Sequence, residues 1–265
     1  MFQGLSLTKG LTLTMTLTTM KRLPVIMVLG VTIAWAPGAV IAEEEPLLAG
    51  LRRAMVAEIQ GNAMMFSAEI GKTNLDERVV AAMGKVPRHE FVAEDLRLLA
   101  YVNRPLPIGH GQTISQPYVV AVMTDLIEPR KDAVVLEIGT GSGYQAAVLA
   151  KLVSKVCTIE IIPELGKEAE KRLKTLGYTN VVARIGDGYY GWKEHAPFDA
   201  IVVTAAAGQI PPPLLQQLKP GGRMIIPVGG PFFVQHLILV EKKADGTYTT
   251  RQLMPVAFVP FTGEH

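Results

Sequence analysis

The sequence predicts an α/β protein: a doubly wound, mostly parallel seven-stranded sheet with an antiparallel hairpin at one edge. Three observations predict it. From Ala133 onward short β-rich runs alternate with helical ones, and strands that alternate with helices pair in parallel. The first run, Ala133–Ile138, passes directly into the glycine turn Gly139-Thr140-Gly141-Ser142-Gly143, and a helix follows at once. The last two runs are joined across Ala244-Asp245-Gly246, a turn that closes a hairpin.

The N-terminus reads as an address. From Met20 a charged start, Met20-Lys21-Arg22, leads into the apolar stretch Leu23–Trp35 and small residues ending Ala39-Val40-Ile41-Ala42, the pattern of a secretory leader. Leu23–Ala42 could alternatively serve as a tilted membrane anchor. Residues 1–19, rich in Thr and Leu, read as sequence upstream of the true start. The expected division is a leader over 1–42 and one domain over 43–265. In that domain 43–130 form a helical and loop region and 131–265 the α/β core.

Composition supports one globular body. With 49% hydrophobic and 19% charged residues among 265, the chain is neither disordered, collagen-like nor a coiled coil. The single cysteine, Cys157, excludes an intrachain disulfide and a multi-cysteine zinc site, and its apolar neighbours predict a small buried residue. Three of the 26 basic side chains (Lys9, Lys21, Arg22) and none of the 24 acidic ones lie in residues 1–42. The body is therefore slightly acidic, with no electrostatic case for nucleic acid.

The elements follow in order. Leu47, Leu51, Met55 and Ile59, then Met64, Met65 and Ile70, give a helical pattern from Leu47 to about Met83. Within it Asn74 is an N-cap candidate, with Glu77 three residues on. Pro87, Pro105 and Pro107 mark a region that reads mostly as loop. A helix over Gln116–Ile127 accepts Pro117 in its first turn, and Ser115 is a candidate cap for it. The core then reads strand Ala133–Ile138, helix Tyr144–Leu152, strand Lys155–Ile159, helix Pro163–Leu176 and strand Val181–Ile185. It continues with Ala200–Thr204, a helix around Pro212–Leu218, Arg223–Val228, His236–Glu241 and a last strand through Leu253–Val259.

Chemistry concentrates at the strand ends, where open parallel sheets bind ligands. The turn after Ile138 has the spacing Gly139-x-Gly141-x-Gly143, not the dinucleotide-binding Gly-x-Gly-x-x-Gly, and Glu137 beside it would repel a phosphate. A carboxylate there suits a cationic amine or sulfonium. Glu160 ends the next strand, where a carboxylate commonly accepts from ribose hydroxyls. Gly186-Asp187-Gly188 follows the third strand and could set a carboxylate beside a purine amine. Amine, ribose and adenine in that order describe S-adenosyl-L-methionine better than a nicotinamide dinucleotide. Taken alone, each piece has a plainer reading, tight packing for the glycines and turn formation for Asp187.

On the other side lies Pro107-Ile108-Gly109-His110-Gly111-Gln112-Thr113-Ile114-Ser115-Gln116-Pro117. Together with Val86–Val92, Glu137–Gly143, Ala196–Ile201 and Gln217–Arg223, this segment resembles the protein-L-isoaspartate (D-aspartate) O-methyltransferases, over about Leu75 to Phe261. The resemblance implies a Rossmann-like, S-adenosyl-L-methionine-dependent fold and methylation of the free α-carboxyl of L-isoaspartyl residues in damaged proteins and peptides, which begins repair through a succinimide. It implies Ser115 as the active-site residue, with Gln112, Thr113 and Ile114 along the pocket. Glu137, Gly139, Thr140, Gly141, Gly143, Glu160, Asp187 and Gly188 would form the cofactor site, with Thr262 as a C-terminal contact. A carboxylate acceptor is already ionised, so no general base is expected.

Four of the five histidines, His89, His110, His195 and His236, lack metal-ligand spacing and read as loop or surface residues, so no metal is expected. Tyr189-Tyr190-Gly191-Trp192 reads as packing rather than base stacking. A monomer is the expected state. The leader predicts export whereas cofactor supply predicts the cytosol. Cytoplasmic placement is the expectation, with a periplasmic or membrane-anchored form through residues 20–42 as the alternative. The competing functions are methylation of another acceptor and a non-catalytic envelope binding protein that keeps the fold.

Overall fold

The structure, a computed structural model, describes residues 37–230 and 233–263, with side chains from Glu45 on. The leader expectation for residues 20–42 therefore lies largely outside the described residues; of it only the backbone of 37–42 is described, as the start of a helix. Among the described residues no helix is long and apolar enough to cross a membrane.

Helices α1 (Pro37–Met65), α2 (Ser67–Ile70) and α3 (Glu77–Lys85) open the chain, followed by short 3-10 turns over Arg88–Phe91 and Glu94–Leu99. The face that α1 buries is Leu48, Met55 and Ile59, while Leu47 is exposed, contrary to the expected four-residue row. At about 3.6 residues per turn Leu48 stands close to three full turns before Ile59, whereas steps of four drift steadily off that face. The cap of α3 also lies two residues beyond the expected Asn74. Asp76, not Asn74, accepts from the Arg78 amide at 2.8 Å.

The segment read as loop contains an antiparallel hairpin, β1 (Leu106–Gly109) and β2 (Gln112–Ile114). It turns through Gly109, His110 and Gly111, all three at positive φ. Helix α4 (Pro117–Leu126) comes next and is buried along its whole length, as a helix apolar on every side must be.

The remaining elements are β3 (Val134–Ile138), α5 (Tyr144–Ala150), β4 (Lys155–Glu160), α6 (Pro163–Thr175), β5 (Val181–Ile185), β6 (Phe198–Val203) and α7 (Pro212–Gln217), then β7 (Leu218–Val228), β8 (Gln235–Lys242) and β9 (Tyr248–Val256). The large sheet has seven strands in the order β5-β4-β3-β6-β7-β8-β9. β3 to β7 pair in parallel, while β8 and β9 join antiparallel at the edge, as the sequence predicts. β9 begins five residues before the expected Leu253 because Tyr248–Gln252 form an exposed edge with no apolar alternation to reveal it. Cys157 is fully buried in β4.

Strand order reverses beside β3: β4 follows on one side and β6 lies on the other. A crevice at the carboxyl ends opens where neighbouring connections leave in opposite directions, which fixes the position of the site before any side chain is considered.

Candidate active site

An open cleft of about 770 Å³ lies at this reversal. Its floor is the turn after β3. Gly139 holds φ +92°, and a Cβ there would stand 2.4 Å from Thr204 Oγ1. Thr204 follows β6 and donates its hydroxyl to the Gly139 carbonyl at 2.6 Å, so the two strand ends are tied across the reversal. Gly188 is equally tight: a Cβ would meet Ile138 Cγ2 at 2.3 Å. Both glycines are required by close approach, leaving a shallow backbone cradle against which a flat ligand can lie.

Glu160, at the end of β4, is nearly buried and faces the cleft. Its Oε2 accepts from the Gly141 amide at 2.7 Å and its Oε1 from the Ile162 amide at 3.0 Å. The carboxylate is thus held still, and its remaining lone pairs are those a vicinal diol could use. Glycines that clear space beside an anchored carboxylate fit a nucleoside cofactor.

Three of the expected cofactor residues lie off the cleft wall. Glu137 is 0% exposed. Alternation along β3 turns it to the face covered by α5, opposite Leu136 and Ile138. Its Oε2 accepts from Thr158 Oγ1 at 2.5 Å, Thr158 in turn contacts Thr140 Oγ1 at 2.6 Å, and among the described residues Oε1 has no hydrogen-bond partner. Burial pushes the Glu137 carboxyl up to about 8, with the Thr158 hydrogen bond opposing and the Glu160 charge adding to the rise. Asp187 caps a 3-10 turn by accepting from the Tyr189 amide at 2.9 Å, which is its turn-forming role. Gly143 begins α5 at φ +90°, with α6's Leu173 3.2 Å from where its Cβ would be. Gly139, Thr140, Gly141, Glu160 and Gly188 do line the cleft.

The opposite wall comes from β2: Gln112, Thr113, Ile114 and Ser115 all face the same space. Ser115 is half-buried, and among the described residues no hydrogen bond engages its hydroxyl. It does not cap α4. The N-cap position is Gln116, and the capping oxygen is Asn103 Oδ1, which accepts from the Tyr118 amide at 3.0 Å. A second groove, lined by Thr113, Ser115, Val119 and the Met254–Val259 segment, meets the cleft at Ser115 and Thr204. The C-terminal tail borders the cleft: the Phe261 amide donates to the Ala206 carbonyl at 2.8 Å, and Thr262 lies in the cleft lining.

Sequence reading missed several residues here. Thr204 and Ala205 were within reach of the strand-end rule, since they follow β6. Val259, Pro260 and Phe261 carry no local signal. Arg88 and Asn103 act from far upstream. His89 is buried at 3% exposure, not on the surface, with Nδ1 2.7 Å from Tyr101 Oη. Trp192 is buried beneath Arg184, whose guanidinium lies 4.6 Å from its ring centre, as the packing reading requires. Among the described residues no cluster of His, Cys, Asp and Glu is arranged to hold a metal.

Fold and cleft together define a methyltransferase-type α/β protein whose strand-end cleft meets a second groove at Ser115. Residues 60–265 match the family model for protein-L-isoaspartate(D-aspartate) O-methyltransferase, and the chain belongs to that family. It is 65% identical over 230 residues to a protein-L-isoaspartate O-methyltransferase 2 of Syntrophobacter fumaroxidans, covering 87% of this chain and 93% of that one. It is 58% identical over 242 residues to a protein-L-isoaspartate O-methyltransferase 1 of Cupriavidus necator, covering 91% and 93%. Among solved structures, a protein-L-isoaspartate O-methyltransferase superposes with a TM-score of 0.70 at 27% identity over 80% of this chain and 66% of the other. A Plasmodium falciparum protein crystallised with S-adenosyl-L-homocysteine shares the fold, with a TM-score of 0.66 at 23% identity over 80% of this chain and 98% of that one.

Proposed function

We propose that this enzyme methylates the free α-carboxyl of L-isoaspartyl residues in damaged proteins and peptides, using S-adenosyl-L-methionine. The carrying observation is the junction at Ser115, where the nucleoside-type cleft meets the peripheral groove. The cofactor supplies an electrophilic methyl group on a sulfonium. In this reading Glu160 holds the ribose hydroxyls and the Gly139–Gly141 turn backs the cofactor chain. Gly188 leaves room for the base, and Thr140 and Thr262 complete the wall. Glu137, Gly143 and Asp187 shape these turns from behind.

The acceptor is ionised at neutral pH, so nothing need remove a proton. Ser115 donates a hydrogen bond to one carboxylate oxygen and leaves the other free to attack; Gln112, Thr113 and Ile114 confine the acceptor beside it. Orientation of this kind can supply roughly 7–11 kcal/mol. The product is a methyl ester, whose methoxy group leaves more readily than the hydroxyl of the acid; attack by the neighbouring backbone nitrogen breaks that C–O bond, releases methanol and closes a succinimide whose hydrolysis partly restores aspartate. We place the reaction in the cytosol, where the cofactor is made, and carried out by a monomer.

The test uses the full chain with methyl-labelled S-adenosyl-L-methionine, an isoaspartyl peptide and its aspartyl twin. Base-labile label on the isoaspartyl peptide alone is the expected result. Equal labelling of both, or of neither despite cofactor binding, would overturn the acceptor assignment.

A further inference from the structure

Arg88 is 0% exposed, the largest fully buried side chain of the described residues. A buried guanidinium ordinarily needs a carboxylate to offset its lost hydration. Here Nε donates to the Ala100 carbonyl at 2.7 Å, Nη2 donates to the Ser115 carbonyl at 2.7 Å, and the group lies 4.6 Å from the centre of the Tyr144 ring. Among the described residues Nη1 has no hydrogen-bond partner and no carboxylate pairs with Arg88. Burial lowers its pKa, but only to about 10, so it stays cationic at neutral pH.

Two of the groups it touches, Ser115 and Tyr144, line the cleft. The cation is therefore sealed from solvent yet one peptide unit from the position at which an acceptor carboxylate would rest. A charge in that setting is screened far less than one in water, and its field reaches into the cleft through Ser115.

We infer that Arg88 is a positioning residue whose buried charge selects an anionic acceptor: it fixes the Ser115 main chain and serves as the electrostatic counterpart of the acceptor carboxylate. This rests on the function proposed above. The carboxylate completes a charge pair that the folded protein leaves half-made, so a neutral acceptor of the same shape gains nothing from it. The hydroxyl of Ser115 gives direction, and the guanidinium behind it gives preference for charge.

The experiment compares binding of an isoaspartyl peptide with that of its α-carboxamide twin, in the presence of S-adenosyl-L-homocysteine, by competition calorimetry. The wild-type protein should favour the carboxylate by about tenfold or more. Arg88→Met should bring that ratio to within about threefold of unity while changing S-adenosyl-L-homocysteine affinity less than about twofold, because Gly139, Gly141, Glu160 and Gly188 are not among the groups its guanidinium engages. A merely structural role would weaken both peptides together and leave the ratio intact, which would overturn the inference. Should the Met variant not fold, Arg88→Lys carries the test. It keeps the charge and gives up the fork, so its ratio should stay within about threefold of wild type; collapse of the ratio in a folded Lys variant overturns the inference. Wild-type protein that binds neither peptide defeats the functional reading instead, and wild-type protein that binds both equally defeats this inference alone.

Discussion

The two walls of the cleft are held in different ways. The cofactor wall consists of backbone turns that leave β3, β4 and β6, and its polar groups answer one another across those turns: Glu160 accepts from Gly141 and Ile162, and Thr204 donates to Gly139. The acceptor wall hangs from side chains distant in sequence, Arg88 on the Ser115 carbonyl and Asn103 on the Tyr118 amide. A wall made of backbone fails when its dihedral angles are refused. A wall hung from side chains fails one bond at a time. The first should be the more brittle of the two.

Gly139→Ala attacks the brittle wall where it is tightest. At φ +92° an alanine is strained before it touches anything, and its Cβ would also fall 2.4 Å from Thr204 Oγ1. Strain of this kind costs about 1–3 kcal/mol, so affinity for S-adenosyl-L-homocysteine should fall about ten- to a hundredfold by calorimetry. Adding Thr204→Ala removes the obstacle and keeps the dihedral strain, so the double variant should recover only in part. Undiminished affinity in the single variant would remove the contrast between the walls.

A pair of substitutions sharpens the contrast. Hydrogen bonds to charged groups are worth about 1.5–3 kcal/mol, so Ser115→Ala should lower kcat about ten- to a hundredfold while leaving cofactor affinity within about twofold. Glu160→Ala should do the reverse: a Kd for the cofactor raised by a similar factor, with kcat at saturating cofactor nearly kept. Finding each phenotype on the other residue would sink both assignments. Steady-state kinetics with both substrates varied reads all four values.

Legibility in the sequence divides along the same line. The wall proposed for the cofactor was readable as cleft lining because its parts are local: an apolar strand, then Gly139 and Gly141, then Glu160 at the next strand end. Even there the reading placed Glu137 on the wall, since spacing along the chain does not show which face of β3 a side chain takes. The acceptor wall was visible only as the motif Gln112–Ser115. That this motif is the second strand of a hairpin, and that Asn103 rather than Ser115 caps α4, depends on pairings no local pattern records. Arg88 lies in the Val86–Val92 segment, but its burial without a carboxylate appears only once the chain is folded. The early part of β9 was hidden for the opposite reason, as an exposed edge strand has no apolar period to betray it.

The mildest test returns to Glu137, an expected cofactor carboxylate that the fold buries behind the wall. Burial holds its carboxyl at about 8 in the native state, against 4.5 for an ordinary glutamate. Between those values the folded protein keeps a proton that the unfolded chain has released. Stability contributed by this group therefore falls as pH rises from about 4.5 to about 8 and levels off beyond it. Glu137→Gln keeps an oxygen to accept from Thr158 and cannot ionise, so its contribution is flat across the same window. Thermal unfolding of the cofactor-free protein at pH 5.5 and 8.5 should show the wild type losing more stability over the interval than the Gln variant. Cofactor affinity at pH 5.5 should be nearly equal for the two, since the carboxyl is protonated there and does not face the cleft. Parallel decline of both proteins would place the titration outside this window, and a large loss of cofactor affinity in the Gln variant would bring Glu137 back to the wall where the sequence had put it.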